Sequence, residues 1–280
     1  MKPAPFSYSR AETLDDAFRI FAAADGEAKY LAGGQTLGPM LNLRLTQPDA
    51  LIDIARVAEL RRAEERPSSI VLGAAVRHAE IEDGLVPDAS NGLMRRTARG
   101  LAYRAVRNRG TLGGSLAHAD PVAEWPNVLT ALNAVILLRS IDGMRSVPIR
   151  EFLIGYLTTG LEPGEILVGV EIPRPARSQR AGISKLCRKA GEFAHSLAVT
   201  VIQDSQPARC VLGCAASTPI LLTRVGALVA SVSAWNADMR SDIRAALEED
   251  LREAGVEPDP FEARTHAATV SRSIMEALSA

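Results

Sequence analysis

The chain has 280 residues, 47% hydrophobic and 23% charged, which is ordinary for a soluble protein and enough for two domains of about 150 residues. Its 32 Lys and Arg against 33 Asp and Glu leave a formal net charge of −1, so no polyanion-binding face is advertised and nucleic acid is excluded as an expected partner. The opening MKPAPFSYSRAETLDD has no apolar h-region and no stretch approaches about 18 apolar residues, so a cytoplasmic protein without a membrane span is expected.

In chain order, Thr13 reads as a helix N-cap with Asp16 at the third helical position. Leu14, Ala17, Phe18, Phe21 and Ala22 then recur at helical spacing until Asp25-Gly26. Residues 29–32 form a short strand that delivers the first of two glycine pairs, in Tyr30-Leu31-Ala32-Gly33-Gly34-Gln35-Thr36. Residues 51–54 and 70–74 read as buried strands, and 77–82 and 88–101 as helices. The stretch 104–115 reads as a basic, then glycine-rich loop carrying the second pair, in Thr111-Leu112-Gly113-Gly114-Ser115, and runs on into Ala117-His118-Ala119-Asp120-Pro121. Asp120 before Pro121 predicts a helix start, with Pro126 disturbing the first turns on the way to Leu132. A hairpin follows over 134–149 around Asp142-Gly143, then a strand over 165–172. The Pro- and Arg-rich segment 173–180 marks the domain boundary. Beyond it, residues 184–188, a helix near 195–202, a strand over 209–216 and terminal helices from Ala237 and Glu262 suggest a compact α+β domain.

The two glycine pairs carry the functional signal. Adjacent glycines let a backbone approach a ligand closely, and successive N–H groups beside a Ser or Thr hydroxyl make an anion site. Two such loops could hold the two ends of one diphosphate, so a nucleotide cofactor leads. A plain tight turn accounts for Gly33-Gly34 equally well. Neither segment fits G-x-G-x-x-G or G-x-x-x-x-G-K-[ST], which disfavours a Rossmann or P-loop domain.

Around the loops, Gln35 and Thr36 offer an amide and a hydroxyl, while Arg107 and Arg109 are candidates to neutralise phosphate or are simply solvated. Asp120 either caps a helix or meets ligand hydroxyls, and Glu124 lies one turn later. His118 beside the loop reads as a structural hydrogen-bonding residue before a general base, because no serine or cysteine motif accompanies it. In the later patch from Lys185 to Ser196, basic residues ahead of Gly191 and Phe193 could close over a planar anionic ring, or Phe193 could be core. Cys187, Cys210 and Cys214 form no disulfide framework and no metal pattern. Cys210 and Cys214, four apart on a predicted strand, would share a face as small buried side chains. An iron–sulfur cluster needs four thiolates, so this chain does not hold one alone.

Taken together, AGGQTLGPMLNLRL (32–45), GAAVRHAEI (73–81), RNRGTLGGSLAHADPVAEWP (107–126), EILVGVEIP (165–173) and RKAGEFAHS (188–196) resemble the FAD-binding medium subunit of the molybdenum hydroxylases, the carbon monoxide dehydrogenase and xanthine dehydrogenase family. The resemblance spans nearly the whole chain. It implies an α+β protein: a two-subdomain FAD-binding fold of the vanillyl-alcohol-oxidase/PCMH type over 1–175, broken near 55–65, then a small α+β C-terminal domain over 176–280. It implies that Lys29, Tyr30, Leu31, Ala32, Gly33, Gly34, Gln35, Thr36, Thr111, Leu112, Gly113, Gly114 and Ser115 wrap the FAD diphosphate. Glu124 and Asp120 would meet cofactor hydroxyls, Leu167 and Val168 would touch the cofactor, and Arg188 and Phe193 would lie towards the flavin.

The chain departs from the family pattern in three places. Thr36 stands for the more usual serine, Phe193 lacks the hydroxyl of the tyrosine found in some relatives, and the C-terminal helix keeps little of the usual tyrosine-arginine pattern. The implied activity is electron relay. A large molybdopterin-binding subunit hydroxylates the substrate, [2Fe-2S] clusters on a small subunit pass electrons to FAD here, and FAD passes them to NAD, oxygen or a quinone. The implied assembly is a dimer of heterotrimers. A stand-alone FAD oxidoreductase with its own small substrate, or a non-redox interaction subunit, are the competing readings.

Overall fold

The structure is a computed structural model that describes residues 2–204 and 206–280. The first unit holds β1 (Ser7–Arg10), α1 (Leu14–Ala22), β2 (Ala28–Leu31), α2 (Leu37–Leu43) and β3 (Ala50–Asp53), a parallel sheet in the order β1-β3-β2. The helix α1 starts as its sequence predicts. Thr13 Oγ1 accepts from the Asp16 N–H at 3.1 Å, the Glu12 N–H donates to the Asp16 carboxylate at 3.1 Å, and Leu14, Ala17 and Phe18 are buried.

The second unit begins with β4 (Ala63–Glu65) and β5 (Ser69–Gly73). Five helices follow: α3 (His78–Glu82), α4 (Leu93–Gly100), α5 (Arg104–Arg107), α6 (Leu112–His118) and α7 (Glu124–Ala131). It closes with β6 (Val135–Arg139), β7 (Met144–Pro148), α8 (Ile149–Phe152), the small hairpin of β8 (Leu153–Gly155) and β9 (Thr158–Thr159), and β10 (Ile166–Pro173). Its sheet is antiparallel in the order β4-β5-β10-β6-β7. The third unit is the antiparallel sheet β11 (Arg180–Leu186), β12 (Ser196–Ile202), β13 (Arg209–Gly213) and β14 (Ile220–Leu221), with α9 (Thr223–Ala230), α10 (Met239–Glu253) and α11 (Pro260–Ser279).

Every residue of α7 and every residue of β12 is buried, because α7 packs against β12 and β13 while α11 covers the other side of β11 and β12. At Gly182 a Cβ would stand 2.0 Å from Ser273 O, so only glycine lets α11 rest directly on β11. Ser196 Oγ meets His266 Nδ1 at 2.8 Å and Thr200 Oγ1 meets Ser273 Oγ at 2.9 Å, which satisfies the polar groups sealed beneath α11.

Several local expectations are corrected. The helix expected near 195–202 is β12. Burial on both faces removes the alternation that marks a strand, leaving only the β-branched content of SLAVTVI as a signal. Asp120-Pro121 does not start a helix. Asp120 Oδ1 accepts from the Val122 N–H at 3.0 Å in a local turn, and α7 begins three residues after Pro121 with Ala123 as N-cap. Pro126 then falls in the first turn of α7, where the N–H it lacks has no helical acceptor. The helix α4 starts at Leu93, since the Asp88 carboxylate takes the Ser90 and Gly92 N–H groups at 2.9 and 2.6 Å. The 104–115 stretch is two short helices, α5 and the start of α6, instead of an open loop. Cys214 lies past the end of β13 at φ 68°, so it does not share the face of Cys210 by strand alternation. Burial pushes both thiols up to about 12, and among the described residues no group of three or more His, Cys, Asp and Glu could hold a metal.

The core also contains a histidine. Trp125 is fully buried and donates its indole N–H to His78 Nδ1 at 3.0 Å, and His78 itself is only 5% exposed. Burial, aided by the positive Arg107, pushes the His78 pKa down to about 4. The unfolded chain would bind this proton near pH 6.5 and the folded chain only near 4, so the associated stability is complete above 6.5 and is lost as pH falls from 6.5 to 4. The loss amounts to about 3 kcal/mol. In urea unfolding across that range, His78→Gln should show a distinctly shallower fall in stability than the parent. Equal slopes would refute a neutral, buried His78.

Candidate functional site

The first glycine pair follows β2 and precedes α2. At Gly33 a Cβ would lie 2.2 Å from Arg109 O and 2.9 Å from the Gly110 Cα, so the loop presses backbone to backbone against the segment that leads into the second pair. Gly34 has φ 70°, which turns the chain into α2. Among the described residues, the N–H groups of Gly33, Gly34, Gln35 and Thr36 donate to no protein acceptor, and the Thr36 side chain makes no cap bond. The Gln35 amide turns back to Gly33 O at 3.2 Å. This loop is therefore a row of unspent donors.

Its flanks are fixed. The Lys29 Nζ pairs with Glu27 at 2.7 Å. The Tyr30 hydroxyl donates to Gly164 O at 3.1 Å, its ring stacks on Phe21 at 5.2 Å, and burial raises its pKa, so it stays a donor. That bond ties β2 to the turn before β10.

The second glycine pair behaves differently. Thr111 is the N-cap of α6, its Oγ1 accepting the Gly114 N–H at 3.1 Å, while the Ser115 N–H bonds Thr111 O at 3.1 Å. The Leu112 N–H donates to Val76 O and the Gly113 N–H to Ala74 O, both at 2.9 Å. A Cβ on Gly113 would come within 2.5 Å of the Ala74 Cβ, so this glycine buys the close approach of α6 to the end of β5. The Ala74 N–H in turn donates to Val168 O at 3.0 Å, at the bulge where the register of β10 shifts between Leu167 and Gly169. Leu167 is buried and Val168 half-buried. Thus β10, the end of β5 and the first turn of α6 are bolted together, and these amides are spent within the protein. Exposed Gly114 and the Ser115 hydroxyl, which makes no bond among the described residues, remain outward.

Arg107 is committed elsewhere: it forks onto Glu82 at 2.7 and 3.1 Å and donates to Leu101 O and Ala102 O. Arg104 pairs with Glu82 and Asp83. The basic stretch therefore anchors the turn after α3. Arg109, in contrast, is exposed and has no carboxylate partner among the described residues. His118 is half-buried and makes no side-chain hydrogen bond among the described residues, which leaves the structural role expected of it without support.

Glu124 is 7% exposed and its Oε1 meets Lys185 Nζ at 2.7 Å, a buried ion pair that joins α7 to β11. Asp120, Glu124 and Lys185 all act on the Cys214 thiol, which places these groups together at the seam between the second and third units. In the later patch, Arg188 and Lys189 pair with Glu192 at 3.5 and 3.4 Å, and Gly191 at φ 84° sits against Ala102 O and the Tyr103 ring. Phe193 is 67% exposed, so it is not a core residue. Two contributors escaped the sequence reading. Lys185 reads in the sequence only as part of a basic run, and His78, whose ring would be 2.8 Å from a Cβ on Gly110, lies within GAAVRHAEI with no sign there of its buried role; only the glycine at 110 hints at a close neighbour.

Residues 4–175 match the family described as the FAD binding domain in molybdopterin dehydrogenase. The chain is 35% identical over 73% of its length to the carbon monoxide dehydrogenase medium chain of Hydrogenophaga pseudoflava, covering 71% of that protein. It is 31% identical over 99% of its length to the caffeine dehydrogenase subunit beta of a Pseudomonas species (strain CBB1), covering 96% of it. A solved carbon monoxide dehydrogenase from H. pseudoflava, lacking the Mo-pyranopterin moiety of its cofactor, superposes with a TM-score of 0.89 at 30% identity, covering 100% of this chain and 99% of that one. Quinoline 2-oxidoreductase from Pseudomonas putida 86 gives 0.89 at 31% identity with the same coverage. With the sequence motifs, the glycine junction and the whole-chain fold in agreement, the chain belongs to the FAD-binding medium subunits of the molybdenum hydroxylases.

Proposed function

We propose that this subunit is the electron-output module of a molybdenum hydroxylase, built over 1–175 to bind FAD and over 176–280 as a C-terminal α+β domain. When bound, FAD supplies the redox chemistry, receiving electrons from [2Fe-2S] clusters of a small partner subunit and delivering them to a terminal acceptor. A large molybdopterin-binding subunit oxidises the substrate, the complex is a dimer of heterotrimers, and it resides in the cytoplasm. The observation that carries the reading is the row of unspent N–H groups from Gly33 to Thr36, set on a junction where the Leu112, Gly113, Gly114 and Ser115 N–H groups are engaged within the protein. Such a row suits the anionic oxygens of a diphosphate.

In this reading Gly33, Gly34, Gln35 and Thr36 bind the diphosphate through their amides, with the Thr36 and Ser115 hydroxyls and Arg109 adding donors. Thr111, Leu112 and Gly113 serve as the platform that fixes this loop, while Gly114 leaves room. Lys29, Tyr30, Leu31 and Ala32 hold the loop to the sheet. Leu167 and Val168 form an apolar wall. Asp120 and Glu124 accept from cofactor hydroxyls, Glu124 with its orientation set by Lys185. Arg188 and Phe193, both exposed, close over the flavin. None of these side chains has to act as acid, base or nucleophile.

The purified chain, incubated with FAD and passed through a desalting column, should keep a visible flavin spectrum; a colourless product would sink the proposal. Gly33→Ala forces its Cβ onto Arg109 O, and flavin retention measured by equilibrium dialysis should weaken at least about tenfold. Retention equal to the parent would remove this loop from the site. Lys185→Met leaves the buried Glu124 carboxylate without its cation and should cost about 2–3 kcal/mol in urea unfolding, most of it recovered in the Lys185→Met/Glu124→Gln double variant. Additive losses would show that the pair is not coupled.

A further inference from the structure

Behind the first glycine loop, a stack of contacts leads into the core. Gly33 rests on Arg109 O and on the Gly110 Cα, which a Cβ at position 33 would meet at 2.2 and 2.9 Å. Gly110 in turn rests on His78: a Cβ at position 110 would meet the ring atoms Cδ2 and Nε2, both at 2.8 Å, and Val106 O at 3.2 Å. His78 rests on Trp125, whose indole N–H donates to His78 Nδ1 at 3.0 Å. The loop with the unspent amides is thus joined, contact by contact, to a tryptophan that is fully buried.

The ring of His78 has little freedom in this stack. An indole N–H only donates, so Nδ1 carries no proton and Nε2 carries one. With Nδ1 held by Trp125, the opposite edge of the ring, Cδ2 and Nε2, lies against Gly110. His78 grips Gly110 a second time through the backbone, its N–H donating to Gly110 O at 3.0 Å, while the Gly110 N–H donates to Val106 O at 2.7 Å. Gly110 is not among the glycines with positive φ, so its backbone conformation does not itself demand glycine. What excludes a side chain there is the imidazole. His78 and Gly110 therefore specify one another.

We propose that His78 is a positioning residue for the cofactor diphosphate: seated by Trp125, its ring edge sets Gly110 and Arg109 O, and through them the amides of Gly33 to Thr36. The inference rests on the reading of those amides as the diphosphate site. A row of amides grips phosphate oxygens only within hydrogen-bond distance, so a displacement of about 0.5 Å in the loop is felt as lost affinity.

The test loads the full chain with FAD, measures flavin affinity by equilibrium dialysis, and records the phosphorus NMR spectrum of the bound diphosphate. Gly110→Ala drives a methyl group into the ring and should weaken FAD at least about tenfold, with the diphosphate resonances displaced. His78→Ala/Gly110→Ala vacates that space and should bind FAD at least about threefold more tightly than Gly110→Ala alone. His78→Gln keeps an acceptor for the indole N–H but removes the ring edge, and should displace the resonances while weakening FAD about threefold or more. A merely structural histidine would lower the urea midpoint of these variants without moving the resonances of the flavin they hold. Where Gly110→Ala does not fold, His78→Gln decides alone. Unmoved resonances in His78→Gln, or a double variant no better than a folded Gly110→Ala, would overturn the proposal and leave the FAD reading intact; a parent that takes up no FAD overturns both.

Discussion

Contact between backbones with no side chain between them is the constraint on which the rest of this structure depends. Gly33 lies on Arg109 O, Gly113 lies on Ala74, and Gly73 lies on Leu60 O, where a Cβ would be 2.3 Å away. Each contact brings two segments from distant parts of the chain to the distance at which amides and carbonyls can pair. The Leu112, Gly113 and Ala74 N–H groups use that proximity to stitch α6, β5 and β10 into one frame. The first loop inherits its position from that frame while keeping its own donors free. Rigidity and availability are thus divided between two stretches of chain that look alike in sequence.

The same division runs through the polar side chains. Arg107, Glu82, Tyr30 and His78 are bonded inside the protein and hold elements together, whereas Arg109, Ser115 and Phe193 face outward. Glu124 stands between these classes. It is buried and paired, yet its cation comes from the third unit, so the geometry at the end of α7 depends on how β11 is seated. A buried ion pair of this kind adds little net stability but penalises every arrangement in which the partners are parted. It makes the seam between the units specific.

Much of this is legible in the sequence, and the reasons differ by residue. The α1 cap is local, four residues long, and is read directly from Thr13 and Asp16. The two glycine pairs announce close approaches, and their flanking residues identify the family. What they cannot announce is which pair spends its amides, because the links Leu112–Val76, Gly113–Ala74 and Ala74–Val168 each span more than about 30 residues and involve only backbone atoms. Asp120 misleads since an aspartate serves a turn as well as a cap. The strand β12 misleads because burial on both faces erases periodicity, and Lys185 is silent because its partner belongs to another unit.

The burial of α7 on every side has a consequence for the making of the protein. Trp125, Val128 and Leu129 are covered in part by β12 and β13, whose Val199, Val201 and Val211 belong to the same core. Those strands leave the ribosome well after α7. At about 5–20 residues per second, the roughly 65 residues that separate α7 from β12 take on the order of 3–13 seconds to synthesise. During that interval one side of α7 has no permanent cover, and the nascent chain carries a greasy helix that only its own last third can sheathe. Speed of translation through the β6–β11 region, and access to a chaperone while it lasts, therefore bear on the yield of this subunit as directly as any contact in the finished fold.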